Sequence, residues 1–349
     1  MQKVFVGMSG GIDSSITAYL LKEEGYDITG ITFTAFEEEG GKKCCSYEEV
    51  VTAKKVCENL GIEHKIVNLK DIFETKIISY FIDSYKNGLT PNPCVYCNRF
   101  IKFGALLEYS LSLGANFFAT GHYARITSFD GELLIERGTD REKDQSYFIS
   151  YIEKEKLPFI KLPLGNFKKK EIREIAKKIN LPVNPDKPES QDICFVKDDY
   201  RGFLKKKGVG EKKGDFILGE KIVGRHNGIP FYSFGQRRGL KIALGERVFV
   251  RGFNLDRNEI ILGKKPFTRK FKVKNLNIFS ESFASGRYEV QFRYQSPPEK
   301  CEVDLNINTK EGEIHLSKAR ELVTPGQFAV FYWNDLVLAS GVISDVVLE

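Results

Sequence analysis

Two hydrophobic rhythms divide the chain. In roughly the first two hundred residues, short apolar runs alternate with stretches whose apolar positions recur every three or four residues. Val4, Phe5 and Val6 read as a buried strand, and Ile16, Leu20 and Leu21 recur at helical spacing from about Ser14. Asp27 to Thr34 predicts a second strand and Glu48 to Leu60 a helix. Glu63 to Leu69 predicts a third strand, Asp71 to Tyr85 another helix, Asn116 to Thr120 a further buried strand, and Asn98 to Leu113 a helix. Strands alternating with helices imply a parallel sheet with right-handed crossovers.

The second rhythm is all β. "KKKGVGEKKG" at 205–214 breaks the composition and marks a boundary. Short strand-like runs follow: Phe216 to Leu218, Lys221 to Val223, Pro230 to Ser233 and Val248 to Arg251. From about Lys270 the alternation sharpens, in Tyr288 to Tyr294 and Phe328 to Trp333, and predicts a small β-barrel. The expected fold class is therefore α/β, with an N-terminal parallel-sheet domain at 1–204, a small central β domain at 205–268 and a C-terminal β-barrel at 269–349.

Bulk properties narrow this little. The 349 residues exceed what one hydrophobic core usually covers. A net charge of +6 is compatible with a polyanionic partner without requiring one. No apolar stretch is long enough to span a membrane, and the glycine loop at 7–11 leaves no room for a signal peptide, so a cytoplasmic protein is expected. Seven cysteines in a reducing compartment are then packing or chemistry, not staples.

The chemistry starts in the first loop, "GMSGGIDSS" at 7–15. Glycines let a ligand approach the backbone, and free N–H groups at a helix start favour anions. Ser9, Ser14 and Ser15 add hydroxyls, and Asp13 offers a carboxylate for a magnesium ion that bridges phosphates. A helix cap with a tight turn is the plainer reading of a glycine pair, but here the whole string follows a strand. In parallel sheets ligands sit at the carboxyl ends of strands, where Gly7 to Ser15, Phe33 and Gly121-His122 all fall. The loop lacks GxxxxGK[ST] and is no Walker A motif; it resembles the PP-loop of ATP pyrophosphatases, which implies cleavage between the α and β phosphates.

"TPNPCVYCN" puts Cys94 and Cys97 at a helix start, where thiolates are stabilised. "ESQDICFV" carries Cys194 behind Pro182, Pro185, Lys187 and Pro188, a composition that predicts an exposed, mobile loop. A C-x-x-C alone fits a redox pair, half a zinc site or part of an iron–sulfur site. Cys44 and Cys45 lie in a polar loop before a helix whose start, Ser46 with Glu49, resembles a capping box. Cys57 and Cys301 read as packing. In "KKKEIREIAKK", 168–178, Ile172, Ile175, Ala176 and Ile179 are expected to face inward and the basic residues outward.

Taken in order, "GMSGGIDSS", "TPNPCVYCN", "TGHYAR", "KDQSYF", "SQDICF", "FGQRRGL", "FRYQ" and "TPGQFAVFY" resemble the tRNA-specific 2-thiouridylases over almost the whole chain. The resemblance implies that ATP adenylates C2 of a wobble uridine in tRNA and that sulfur then displaces AMP. ATP would contact Gly7, Met8, Ser9, Gly10, Gly11, Ile12, Asp13, Ser14, Ser15, Phe33 and Gly121. Transfer RNA would contact Asn92, Pro93, Cys94, His122, Lys143, Asp144, Gln145, Arg293, Tyr294 and Gln327. Cys194 matches the persulfide carrier and Cys97 its resolving partner, with a Cys97–Cys194 disulfide as end state.

Cys94 departs from the family, many members of which carry aspartate there. Its presence gives a three-thiol set, Cys94, Cys97 and Cys194, that a [4Fe–4S] cluster could use instead; persulfide and cluster stay equally open. A sulfur-donor protein or sulfide source is implied as partner. Rival readings are another PP-loop tRNA thiolase or synthetase, and an RNA-binding or cluster-carrier protein without catalysis.

Overall fold

The computed structural model describes residues 1–37, 43–44, 47–184, 193–196, 199–321 and 323–349. Cys45, Ser46, Pro185, Lys187 and Pro188 lie outside them, and with them the expected capping box and most of the proline-rich approach to Cys194. The chain forms two compact units. The first comprises Met1–Ile77, Cys94–Phe195 and Asn334–Leu338; the second comprises Ile78–Pro93, Val196–Trp333 and Ala339–Glu349.

The first unit is built on a parallel sheet. Its order is Glu63–Asn68, Asp27–Thr34, Lys3–Gly7, Phe117–Ala119, Ile160–Lys161, and every pairing is parallel. Val4, Phe5 and Val6 are fully buried, as strands covered on both faces require. Helices Ile12–Glu23, Tyr47–Leu60 and Lys169–Lys178 cover the sheet, packing Ile16, Ala18, Val56, Ile172 and Ala176 against Val4 and Val6. The chain order runs outward in both directions from Lys3–Gly7, so the loop after this strand lies at the point where the topology switches.

The expected single helix over 71–85 is broken in type: α-helix Lys70–Phe73, a π-helical stretch Glu74–Ile78, then α-helix Ser79–Lys86. A second π stretch, Asn98–Leu106, follows the short helix Pro93–Cys97. Such widened turns cluster at functional sites.

In the second unit, a four-stranded sheet has the order Lys221–His226, Gly214–Leu218, Glu259–Gly263, Phe249–Asn254. It encloses Phe216, Leu240, Val250 and Ile260. Pro230 to Ser233 is not a strand; Ile229–Phe231 is a 3-10 turn with proline near its start. The rest is a closed antiparallel barrel: Phe267–Ile278, Glu311–Glu321, Glu299–Asn306, Gly286–Gln291, Phe328–Trp333 and Leu336–Leu348, shut by pairing of the first strand with the last. Closure removes the exposed edges that a sheet of this size would present. The expected strand over 288–294 stops at Gln291. Arg293 and Tyr294 lie in a turn, where the Arg293 carbonyl accepts from the Ser296 amide at 3.1 Å and the Gln291 side chain at 3.2 Å. No helix among the described residues is long and apolar enough to cross a membrane.

Candidate active site

The loop from Met8 to Gly11 is held from below. The Met8 amide donates to the Ile31 carbonyl at 2.8 Å, and the Met8 carbonyl accepts from the Thr32 hydroxyl at 2.7 Å. Thr32 in turn meets His64 Nε2 at 2.8 Å. Gly10 has φ +71°, and a Cβ there would collide with the Glu49 backbone, so both conformation and space demand glycine. Helix Ile12–Glu23 starts with Gly11 as N-cap and no side-chain cap. Its first amides are therefore open to an anion, as a triphosphate requires.

The three serines divide their work. Ser14 and Ser15 are buried and donate to the Gly11 carbonyl at 3.1 and 2.8 Å, so their hydroxyls shape the loop. Ser9 is exposed and lies 3.2 Å from the Ser14 hydroxyl, leaving it the serine best placed to face a ligand. Phe33, half-buried, stands at the carboxyl end of its strand.

Asp13 is where sequence reasoning missed a residue. Lys169 was expected on the outward basic face of its helix; instead it is buried, and its Nζ lies 2.7 Å from both Asp13 carboxylate oxygens. Asp13 also accepts from the Tyr123 hydroxyl at 2.7 Å. The cause is position. Lys169 begins helix Lys169–Lys178, its own amide donates to Asp140 at 2.8 Å, and this turns its stem inward past the Tyr123 ring. In a run of lysines nothing distinguishes the one that points in. Gly121 completes the corner: a Cβ there would sit 2.8 Å from the Asp13 carbonyl carbon, so only glycine permits this approach.

Both Asp13 carboxylate oxygens accept from Lys169 and Oδ1 also accepts from Tyr123, so a magnesium ion bound there would share the carboxylate with the ammonium. Among the described residues no three His, Cys, Asp or Glu side chains converge to hold a metal.

The thiols correct a second expectation. Cys94 and Cys97 lie within the short helix Pro93–Cys97. Cys94 is not a stabilised thiolate: burial, reinforced by the charge of Cys194, pushes its pKa up to about 11, while Lys102 pulls weakly the other way. Cys194 is exposed, and its neighbour Phe195 is anchored edge-on against Phe73 at 5.9 Å. None of the three is in a disulfide here, and Cys97 and Cys194 are not bridged. Cys57 and Cys301 are buried, with pKa values pushed up to about 12 by burial, as packing cysteines should be.

Several residues assigned to RNA by resemblance have internal partners. Asp144 is buried and accepts from Arg137 at 2.9 Å, the Gly138 amide at 2.9 Å, and the Ser146 amide and hydroxyl at 3.1 and 2.8 Å. Gln145 pairs with the Tyr123 backbone twice, accepting from its amide through Oε1 at 3.0 Å and donating its own amide to the carbonyl at 2.8 Å. Gln145 thereby braces Tyr123, while Asp144 ties Arg137 and Gly138 to Ser146. His122 is buried, 2.6 Å from the Thr120 hydroxyl through Nδ1, and burial with the nearby Lys102 charge holds its pKa well below the usual histidine value. Lys143, by contrast, is half-exposed. In the second unit, Gln327 meets Asn92 at 3.5 Å.

Family models match three consecutive stretches: a tRNA methyl transferase HUP domain over residues 2–198, a tRNA methyl transferase PRC-barrel domain over 201–264 and an aminomethyltransferase beta-barrel domain over 268–343. The chain is 41% identical to the tRNA-specific 2-thiouridylase MnmA of Carboxydothermus hydrogenoformans, across 98% of this chain and 97% of that protein. It is equally identical to the protein of that name from Clostridium acetobutylicum, across 98% and 99%. The Pelotomaculum thermopropionicum counterpart also shares 41%, across 98% and 97%.

Proposed function

Because the chain belongs to the tRNA-specific 2-thiouridylase family, we propose that it replaces the C2 oxygen of the wobble uridine in tRNA with sulfur, consuming ATP. The observation that carries this reading is the strand-end loop Met8–Ser15 with Asp13, Lys169, Tyr123 and Gly121 gathered at its helix start. That corner offers open amides to phosphates and one buried ammonium close to where charge develops.

The uridine C2 oxygen attacks the α-phosphorus of ATP; an O-adenylyl base forms and pyrophosphate leaves. Oxide is a poor leaving group and AMP a good one. Cys194, loaded with a sulfane sulfur by a donor protein, presents that terminal sulfur to C2, and AMP departs with the original oxygen. The base is then joined to Cys194 through a sulfur–sulfur bond. The Cys97 thiolate attacks the Cys194 sulfur, 2-thiouridine is released, and a Cys97–Cys194 disulfide remains, to be reduced by an external dithiol before reloading. The exposure of Cys194 suits a group that must meet a donor. Magnesium enters on the triphosphate as part of the substrate; no step depends on a protein cage for it. Cys94, protonated at neutral pH, is no base, so it does not substitute for an aspartate in that capacity.

Lys143, with Arg293 and Tyr294 in their turn, supplies cations and a ring for phosphate and base contact. Gln145 supports the nucleotide corner through Tyr123, and a direct RNA role for His122, Asp144 or Gln145 would require the contacts described to open.

The test supplies protein freed of iron with an unmodified tRNA transcript, magnesium, α-labelled ATP and a persulfide donor. The expected result is tRNA-dependent release of AMP and pyrophosphate with gain of 2-thiouridine, and in Cys194→Ser accumulation of adenylylated tRNA without sulfur. A transcript that gains neither sulfur nor an adenylyl group overturns the proposal, and turnover that appears only after iron and sulfide are added overturns the persulfide route.

A further inference from the structure

The segment that leads into the C-x-x-C is held by the barrel's Thr324–Gln327 turn. The Gln327 carboxamide donates to the Thr90 carbonyl at 2.9 Å and to the Pro91 carbonyl at 3.2 Å, and its oxygen lies 3.5 Å from Asn92 Nδ2. The Thr90 amide donates to the Pro325 carbonyl at 2.9 Å. Gly326, at φ +92°, brings the turn so close that a Cβ would sit 2.9 Å from the Thr90 nitrogen and oxygen. The turn itself is fixed: the Gly326 amide donates to the Ile343 carbonyl at 2.9 Å and the Ile343 amide to the Gln327 carbonyl at 2.8 Å. The Thr90 hydroxyl is buried with no partner among the described residues, so that side chain adds no anchor and the hold falls on the backbone.

We propose that Gln327 is a positioning residue for the thiol-bearing segment, its side chain fixing the backbone at Thr90 and Pro91 and so setting the presentation of Cys94, three residues further on. In this arrangement both ends of the amide are engaged within the protein, and Gln327 acts on the reaction through the loop. The catalytic consequence rests on the 2-thiouridylase reading; the geometry does not.

Gln327→Glu keeps shape but removes both donors and places a carboxylate against two carbonyl oxygens; Gln327→Met removes the donors without charge. Protein without tRNA or ATP is treated with iodoacetamide at mildly alkaline pH, and each cysteine is followed by peptide mass. Losing two hydrogen bonds of ordinary net strength is expected to accelerate Cys94 labelling about tenfold, while Cys57 and Cys301 stay unlabelled as internal controls for global loosening. In turnover, kcat for sulfur incorporation falls and KM for tRNA holds. Unchanged Cys94 labelling together with a raised KM overturns the proposal and leaves Gln327 as an RNA contact. Labelling of Cys57 in Gln327→Glu marks a loosened fold, and Gln327→Met then decides on the same criteria. Faster Cys94 labelling in a protein whose wild type never thiolates tRNA would sink the functional reading while the positioning role stood.

Discussion

Lys169 and Asp13, 156 positions apart in sequence, meet through two contacts of 2.7 Å at the start of the helix that follows the glycine loop. The lysine is buried and the aspartate only partly so. A buried ammonium is tied to its carboxylate partner, because breaking the pair leaves an uncompensated charge. The same ammonium sits on Asp13, in the first turn of the helix whose open amides form the anion site.

Replacing it separates these roles. Lys169→Met keeps the aliphatic stem and removes the charge. We expect the rate of tRNA-dependent pyrophosphate release to fall by about a hundredfold, the usual loss for one electrostatic donor at a reacting centre. Stability should fall by about 1–3 kcal/mol, since the Asp13 carboxylate loses its counter-ion. Rapid-quench measurement of pyrophosphate beside urea unfolding checks both. Full activity in a normally folded variant would place the phosphates elsewhere.

The Cys94 thiol gives a pH signature. With its pKa pushed up to about 11, it stays protonated through neutral and mildly alkaline solution, so its alkylation should remain slow near pH 8 and climb until about pH 11. Removing the neighbouring negative charge in Cys194→Ser shifts that rise to lower pH, and removing the attracting cation in Lys102→Ala shifts it higher. The measurement is alkylation rate against pH, resolved by peptide. A Cys94 that reacts fully near neutrality contradicts the burial argument.

His122 affects folding rather than reactivity. Its folded pKa is depressed by burial, so the unfolded chain binds a proton more readily than the folded one. Stability from the neutral ring is complete above the unfolded value near 6.5 and is lost as pH falls below it. The loss approaches roughly 1.4 kcal/mol per pH unit for one such group. Between pH 7 and pH 5 the wild type should therefore lose more stability than His122→Gln, with urea midpoints as the comparison. His64 and His226, whose pKa values are also lowered by burial, contribute equally to both proteins and cancel.

The centre of the parallel sheet was legible because Val4, Phe5 and Val6 form a continuous apolar run, and Asp27–Thr34 in that sheet and Phe328–Trp333 in the barrel fall where the pattern puts them. The glycine loop was legible because glycine and serine spacing has few other uses. Lys169 was not, since a lysine that turns inward has the same neighbours in sequence as one that turns outward. Asp144 in "KDQ" reads as a solvated turn until its four donors converge from Arg137, Gly138 and Ser146. Arg293 and Tyr294 continue an alternating pattern past the end of their strand, because alternation does not encode where pairing stops. The π stretches at Glu74–Ile78 and Asn98–Leu106 carry helical periodicity and differ only in winding.

A cysteine kept protonated by its surroundings is also a cysteine kept intact. Peroxide and electrophiles consume the ionised form of sulfur, so the covering that denies Cys94 its charge also slows oxidation at that one sulfur, while the exposed Cys194 keeps no such cover.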